Sequence, residues 1–294
     1  MSGTVQTILV AIDPTSASRS AFRQALRLAV SMKKRLVAVS VTPRYEGNMN
    51  RWKISDLNEQ MSVTFRNCLQ EAEDTAASLS QSIQTIHRVG DPAEEIITVA
   101  EEEGAGLLIM GSPKRSYVER VLLGRIAAKV VGLSPCDVLM IPENAEVNFG
   151  RILVGIDGSG HSMEAGQRAL DLAASYGGEV HALAVLDVPI DRGLLFGVLA
   201  EEKSKNFSAL ETISGQGKKL GVRVVSELQD GSPYVNLVKY GEEKAMDLIV
   251  LGTYGRTALS RLLLGSVVER VAALSALPTL VVKKLGNHGT RDMV

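Results

Sequence analysis

Ile8-Leu-Val-Ala-Ile-Asp13 returns as Ile152-Leu-Val-Gly-Ile-Asp157, 144 residues later, with a single substitution in the six positions. Working outward from this pair, more of the chain proves to be written twice. Leu107-Leu-Ile-Met-Gly111 is echoed by Leu248-Ile-Val-Leu-Gly252, and Val121-Leu-Leu-Gly124 by Leu262-Leu-Leu-Gly265. Leu133-Ser-Pro-Cys-Asp-Val-Leu-Met-Ile-Pro142 is echoed by Leu274-Ser-Ala-Leu-Pro-Thr-Leu-Val-Val-Lys283. A period this long means two copies of one domain rather than a solenoid. The junction is the short polar stretch from Pro142 to Gly150, which predicts domains at 1–145 and 149–286, closely packed, with 287–294 as a flexible tail. The 294 residues suit that division.

Within each copy, unbroken apolar runs alternate with stretches of helical periodicity. Thr7–Asp13 reads as a buried strand, and Leu36–Val41, 83–89, Leu107–Met110 and Val138–Ile141 as further strands, in an aliphatic composition that suits a parallel sheet covered on both faces. Thr15 or Ser16 caps a helix with Ala21, Phe22, Ala25, Leu26 and Ala29 on one face; further helices are predicted over 57–80, Pro92–Glu103 and much of 118–132. The second copy repeats the order, with strands near 151–156, 179–186, 222–228, 247–251 and 279–283. Alternating βα units with right-handed crossovers give an α/β fold: two tandem, doubly wound, five-stranded parallel sheets of Rossmann-like type. Only 4% of residues are aromatic, so the cores are aliphatic.

The composition excludes several function classes. The formal net charge is −1, and each half is balanced on its own, so a nucleic-acid module driven by counterion release is not expected. No apolar run is long enough for a membrane span and no basic-then-apolar leader opens the chain. The two cysteines, Cys68 and Cys136, make no disulfide framework, and the expected location is the cytoplasm.

Ligands of such sheets bind beyond the carboxyl ends of the strands. There the sequence places Gly252-Thr-Tyr-Gly255-Arg-Thr-Ala-Leu-Ser-Arg-Leu-Leu-Leu-Gly265-Ser266, directly after an apolar strand. Glycines let backbone N–H groups approach an anion closely. Ser266-Val-Val-Glu269 fits a capping box opening a helix whose N-terminus attracts negative charge. Two readings stand at this level: a phosphate cradle, or glycines that only turn and a serine that only caps. Neither a Walker A loop nor a dinucleotide G-x-G-x-x-G is present.

The spacing G-x-x-G, nine residues, G-[ST] resembles the nucleotide loop of the universal stress protein family, and Gly252, Gly255, Gly265 and Ser266 match it at every position. Asp157 at the end of the half's first strand, and Ala184-Val185-Leu186-Asp187 at the end of its second, extend the resemblance, which covers about 5–142 and 150–284. It implies a stress-response regulatory protein that binds ATP, or ADP or AMP in its place, with Mg²⁺ as a possible companion. Asp157 would contact the adenosine, the Val185 backbone would pair with adenine, and Gly252, Gly255, Gly265 and Ser266 would cradle the phosphates. The resemblance also implies pairing of the two modules through their last strands. A tandem chain can form that pair internally, as an intramolecular pseudo-dimer, with a homodimer as a further option. A protein partner of unknown identity is expected. Slow ATPase or phosphotransferase activity is the enzymatic alternative, and an interaction protein without nucleotide is a third.

The first half departs from the pattern. Its loop reads Gly111-Ser-Pro-Lys114 and its helix opens at Gly124-Arg125, with Ala128 in place of the acid and Pro113 lacking a donor. Asp13 and Val41 keep the base-binding positions. Either the bulky side chains fill the triphosphate space and this half is a structural partner, which we favour, or Lys114 and Arg125 hold a different anion. His87, His161, His181 and His288 lack metal-ligand spacing and no metal site or catalytic residue is assigned. His161 follows Gly158-Ser-Gly160 near the expected ligand, Arg256 and Arg261 sit within the glycine loop segment as phosphate partners or as solvated loop charges, and the Met49/Trp52 stretch reads as a lid, a contact surface or an apolar plug.

Overall fold

The computed structural model describes residues 7–44, 57–112, 123–187, 198–253 and 264–283, with the side chains of 57, 58, 60, 198 and 199 left aside. Gly255, Lys114, Pro113, Arg256, Arg261, Met49, Trp52, His288 and the 287–294 tail therefore lie outside the described residues.

The N-terminal half runs β1 (Thr7–Ala11), α1 (Ser16–Met32), β2 (Arg35–Pro43), α2 (Leu57–Ser78), β3 (Gln84–Gly90), α3 (Pro92–Glu102), β4 (Leu107–Ser112), α4 (Arg125–Leu133) and β5 (Asp137–Pro142). The C-terminal half repeats it: β6 (Arg151–Ile156), α5 (Gly160–Tyr176), β7 (Glu179–Leu186), α6 (Val198–Leu220), β8 (Val224–Asp230), α7 (Pro233–Glu243), β9 (Leu248–Gly252), α8 (Ser266–Leu274) and β10 (Thr279–Val282). Local chemistry explains the element ends. The Thr15 and Ser159 side chains accept the Ser18 and Ser162 N–H groups at the starts of α1 and α5. Asp91 caps α3, and Pro92 fills the first-turn position where no N–H is needed. Gly177 ends α5 at φ 70°.

The two parallel sheets merge into one of ten strands, ordered β3-β2-β1-β4-β5-β10-β9-β6-β7-β8. Every pairing is parallel except the central one, where β5 and β10 run antiparallel with Thr279 opposite Met140, Leu280 opposite Leu139 and Val281 opposite Val138. Leu139 and Leu280 occupy the same position in the two copies, so a local two-fold axis passes through this pair. The inner strands are buried on both faces, with Ile8 and Val10 facing one helical layer and Leu9 the other, whereas the edge strands β3 and β8 are only half-buried. Helices α1, α2, α5 and α6 cover one face and α3, α4, α7 and α8 the other. Each apolar cluster runs without a break from one half into the other. At about 1.5–3 kcal/mol per fully buried aliphatic side chain, this shared core dominates cohesion of the halves.

Polar contacts at the seam are few and specific. The Asp137 carboxylate at the start of β5 receives the Arg168 guanidinium of α5 at 3.1 Å and the Lys283 backbone N–H at 2.9 Å. The Lys283 ammonium donates to the Val131 and Gly132 carbonyls, at the end of α4. Burial pushes the Asp137 carboxyl above its usual range, against the pull of Arg168. Burial also lowers Lys283 to about 8 and raises the Cys136 thiol to about 11. On the other side of the junction, Arg27 of α1 donates to the Val147 carbonyl at 2.8 Å, and Phe149 stacks on Tyr176.

Candidate functional site

In the C-terminal half the chain winds from β6 outward through β7 to β8, then returns to place β9 on the other side of β6. The crevice beyond β6 and β9 is thus a topological switch point, where open α/β sheets take their ligands. The β6–β9 ladder stops at Val154 and Val250, which lets the two strand ends part. Asp157 follows β6 on one side of the crevice and Gly252 ends β9 on the other.

Asp157 is shaped by its own loop. One carboxylate oxygen accepts the Ser159 N–H at 2.9 Å, and the Asp157 N–H donates to the Ser162 hydroxyl at 3.2 Å. Gly158 takes φ 75°, the left-handed region a glycine enters without strain. The turn holds Asp157 at the mouth of α5. Asp13 is held in the same way, by the Thr15 N–H and hydroxyl and by Ser18.

Val185 sits where the sheet opens. The β6–β7 ladder ends at Ile156 opposite Ala184, whereas β7–β8 continues to Leu186 opposite Asp230. The backbone edge of Val185 that faces β6 therefore lies beyond the last rung on that side, a notch sized by the missing strand. Val41 stands at the matching place: β1–β2 ends at Ala11 opposite Val39 while β2–β3 runs on to Gly90.

At Gly252 a Cβ would stand 2.5 Å from the main-chain carbon and oxygen of His161 in the first turn of α5. Gly111 has the same restriction against Ala17 and Ser18 of α1. Helix α5 can approach β9 only because Gly252 has no side chain, so this glycine is required by packing in both halves, whatever binds. The lack of Cβ at this position does not separate the halves; the loop beyond it does.

Helix α8 begins differently from the capping box expected at Ser266. Gly265 is the N-cap, at φ −61° and ψ 135°, and Ser266 is the first helical residue. A serine at that position cannot cap its own helix, and Gly265 has no side chain with which to do so; no side-chain cap hydrogen bond forms. Among the described residues no side chain caps the first-turn N–H groups of α8, an arrangement suited to an anion. The Gly265 N–H reaches back to the Thr253 carbonyl at 3.3 Å, which brings the two ends of the loop together. In the N-terminal half, Gly124 is likewise the N-cap of α4, and exposed Arg125 stands where Ser266 stands.

One asymmetry between the halves went unread in the sequence. Beside Gly158, the described residues leave a cleft of about 430 Å³ between α5 and α6, lined by Met163, Ser204, Lys205, Ser208 and Thr212. Its counterpart beside Asp13 is about 60 Å³ and is lined by Arg19, Phe22, Arg23, Cys68 and Glu71. The signal was present: Arg19 aligns with Met163 at the offset of the first repeat.

The remaining tempting residues have structural partners. His181 is buried, with its ring nitrogens at 2.9 Å from the Tyr240 hydroxyl and 3.2 Å from Glu179. His87 meets the Thr42 hydroxyl. Among the described residues no group of three or more His, Cys, Asp or Glu side chains is arranged to hold a metal, and no helix is long and apolar enough to cross a membrane.

The model of the Universal stress protein family matches residues 4–142 and again 148–283. A universal stress protein of Methanocaldococcus jannaschii is 38% identical over 151 residues, 49% of this chain and 88% of that protein. One of Mycobacterium tuberculosis H37Rv is 27% identical over 241 residues, 79% of this chain and 80% of that one. In structure, a universal stress protein from Archaeoglobus fulgidus superposes with a TM-score of 0.69 at 22% identity, covering 94% of this chain and 98% of its own, a likeness of fold.

Proposed function

The chain belongs to the universal stress protein family, and from that premise we propose that its C-terminal half binds one adenine nucleotide, ATP or its di- or monophosphate, as a regulatory ligand. The N-terminal half is its built-in structural partner. Asp157 takes the ribose side of the adenosine, the Val185 backbone pairs with the base at the notch, and Gly252, Gly255, Gly265 and Ser266 receive the phosphates.

The observation that carries this reading is the start of α8. A helix N-terminus with no capping side chain, closed against Thr253 and set across a switch-point crevice from a loop-held aspartate, offers charge and hydrogen bonds suited to a phosphate chain. The residues present fit such a group. A Mg²⁺ accompanying it would be held mainly by the phosphates, since the described side chains form no metal cluster. Occupancy would stabilise the bound form by mass action and so bias whatever surface a partner reads.

Isothermal calorimetry with ATP tests the proposal. A stoichiometry of one per chain is expected; two equal sites, or none, would overturn it. Mass spectrometry of nucleotide co-purifying with the protein identifies the phosphate number.

A further inference from the structure

The peptide group between Val282 and Lys283 is gripped from both sides. Its carbonyl accepts the Thr253 hydroxyl at 2.9 Å, from the first residue after β9. Its N–H donates to Asp137 Oδ1 at 2.9 Å, from the other half of the molecule. One peptide unit therefore joins the loop of the C-terminal half to a buried carboxylate of the N-terminal half, and hydrogen bonds in such a chain polarise and strengthen one another. Thr253 is itself tied to the start of α8, through its carbonyl and the Gly265 N–H.

Two further contacts fix this arrangement. The other oxygen of Asp137 holds Arg168 at 3.1 Å, and Arg168 belongs to α5, the helix that opens at the Asp157 turn. The Lys283 side chain lies on the Val131 and Gly132 carbonyls at the end of α4, where a cation complements the helix dipole. Asp137 is thus connected by hydrogen bonds and one helix to both walls of the crevice.

The reciprocal device is absent by sequence. Pro278 stands where Asp137 stands, so that copy has no carboxylate to offer. Pro142 stands where Lys283 stands and has neither an N–H to give nor an ammonium. Gln24 stands in place of Arg168, and its carbonyl oxygen accepts the Val147 N–H instead. The connection runs one way, toward the half that keeps the glycine loop.

We propose that Asp137 of the N-terminal half is a positioning residue for the ligand site of the C-terminal half, acting on the loop after β9 through the Val282–Lys283 peptide and on α5 through Arg168. This rests on the nucleotide reading for its function, but the clamp exists independently of any ligand. The N-terminal half is then a part of the binding site's frame and not a passive cover.

Hydrogen–deuterium exchange and ATP calorimetry on the full chain separate the two claims. Thr253→Val, Asp137→Asn and Lys283→Met should each raise amide exchange over 264–269 severalfold and weaken ATP about tenfold, a coupling of ordinary size. Thr253→Ser should restore both, which a loss of bulk alone would not allow. Arg27→Met, which removes a seam contact with no link to the loop, should change neither. If the wild type binds no adenine nucleotide, the nucleotide reading fails and exchange alone decides the clamp. Unchanged exchange over 264–269 in Thr253→Val and Asp137→Asn, or an equal rise in Arg27→Met, overturns it. Should Lys283→Met fail to fold, the other two variants carry the test.

Discussion

The two halves share nearly every strand, helix and cap, yet they diverge at the carboxyl ends of the strands. Asp13 and Asp157 sit in near-identical turns, and Gly111 and Gly252 are both demanded by the approach of the next helix. The differences begin one step later, where exposed Arg125 opens α4 and Ser266 opens α8, and where Phe22 and Arg19 line a narrow cleft whose wider counterpart is lined by Met163. Duplicated architecture conserves what packing requires. The positions that packing leaves free are the ones where the two copies differ.

The most damaging test of this contrast is Ser266→Arg, which writes the N-terminal residue into the C-terminal helix start. Its side chain would displace phosphate from the first turn, and nucleotide affinity should fall by about a hundredfold or more, equivalent to about 3 kcal/mol; calorimetry reads it. Next is the seam. Asp137→Ala strands Arg168 and the Lys283 N–H and should cost about 3–5 kcal/mol in chemical denaturation, against about 1 kcal/mol for Pro278→Ala at the matching place. The glycines should behave alike. Gly252→Ala and Gly111→Ala each press a Cβ into helix backbone and should cost about 2–4 kcal/mol apiece, ligand or no ligand. A large difference between them would break the claim that this position is structural in both halves.

Lys283 gives a smaller, signed effect. Its folded pKa is about 8, below the ordinary lysine value of 10.5, so the unfolded chain binds more protons between those values. Its contribution to stability is fully present above pH 10.5 and is lost as pH falls through 8. The wild type should therefore gain about 3 kcal/mol on Lys283→Met across that window. Cys136, raised to about 11, works in the opposite direction but is common to both proteins. The smallest effect expected is from Arg125→Ser. With Pro113 and Lys114 left in its loop, the N-terminal half should remain unable to bind, and the stoichiometry should stay at one.

Much of this was legible in the sequence because it is local. The apolar runs at 107–110 and 151–156 announce strands, the cap at Thr15 follows from hydroxyl chemistry, and the copy of each element confirms its partner. The start of α8 was misread by one residue, since Ser266-Val-Val-Glu269 satisfies the capping pattern while the backbone turns at Gly265. The packing demand on Gly252 was invisible, because it is set by His161, far off in the chain. Asp137 and Lys283 read as single charges on otherwise apolar strand ends. Their meaning appears only when β5 and β10 are paired, although the mismatch of Asp137 with Pro278 and of Pro142 with Lys283 already marked where the copies part.

The antiparallel pairing of β5 with β10 has a consequence beyond geometry. Because the two halves belong to one chain, joined by the short connection between β5 and β6, each half meets the other at an effective concentration of about millimolar, however dilute the protein. Dilution cannot separate them, and no free copy in the cell can readily displace the half already in place. Partner choice is settled at synthesis: every C-terminal half is born with one N-terminal half, in a fixed ratio.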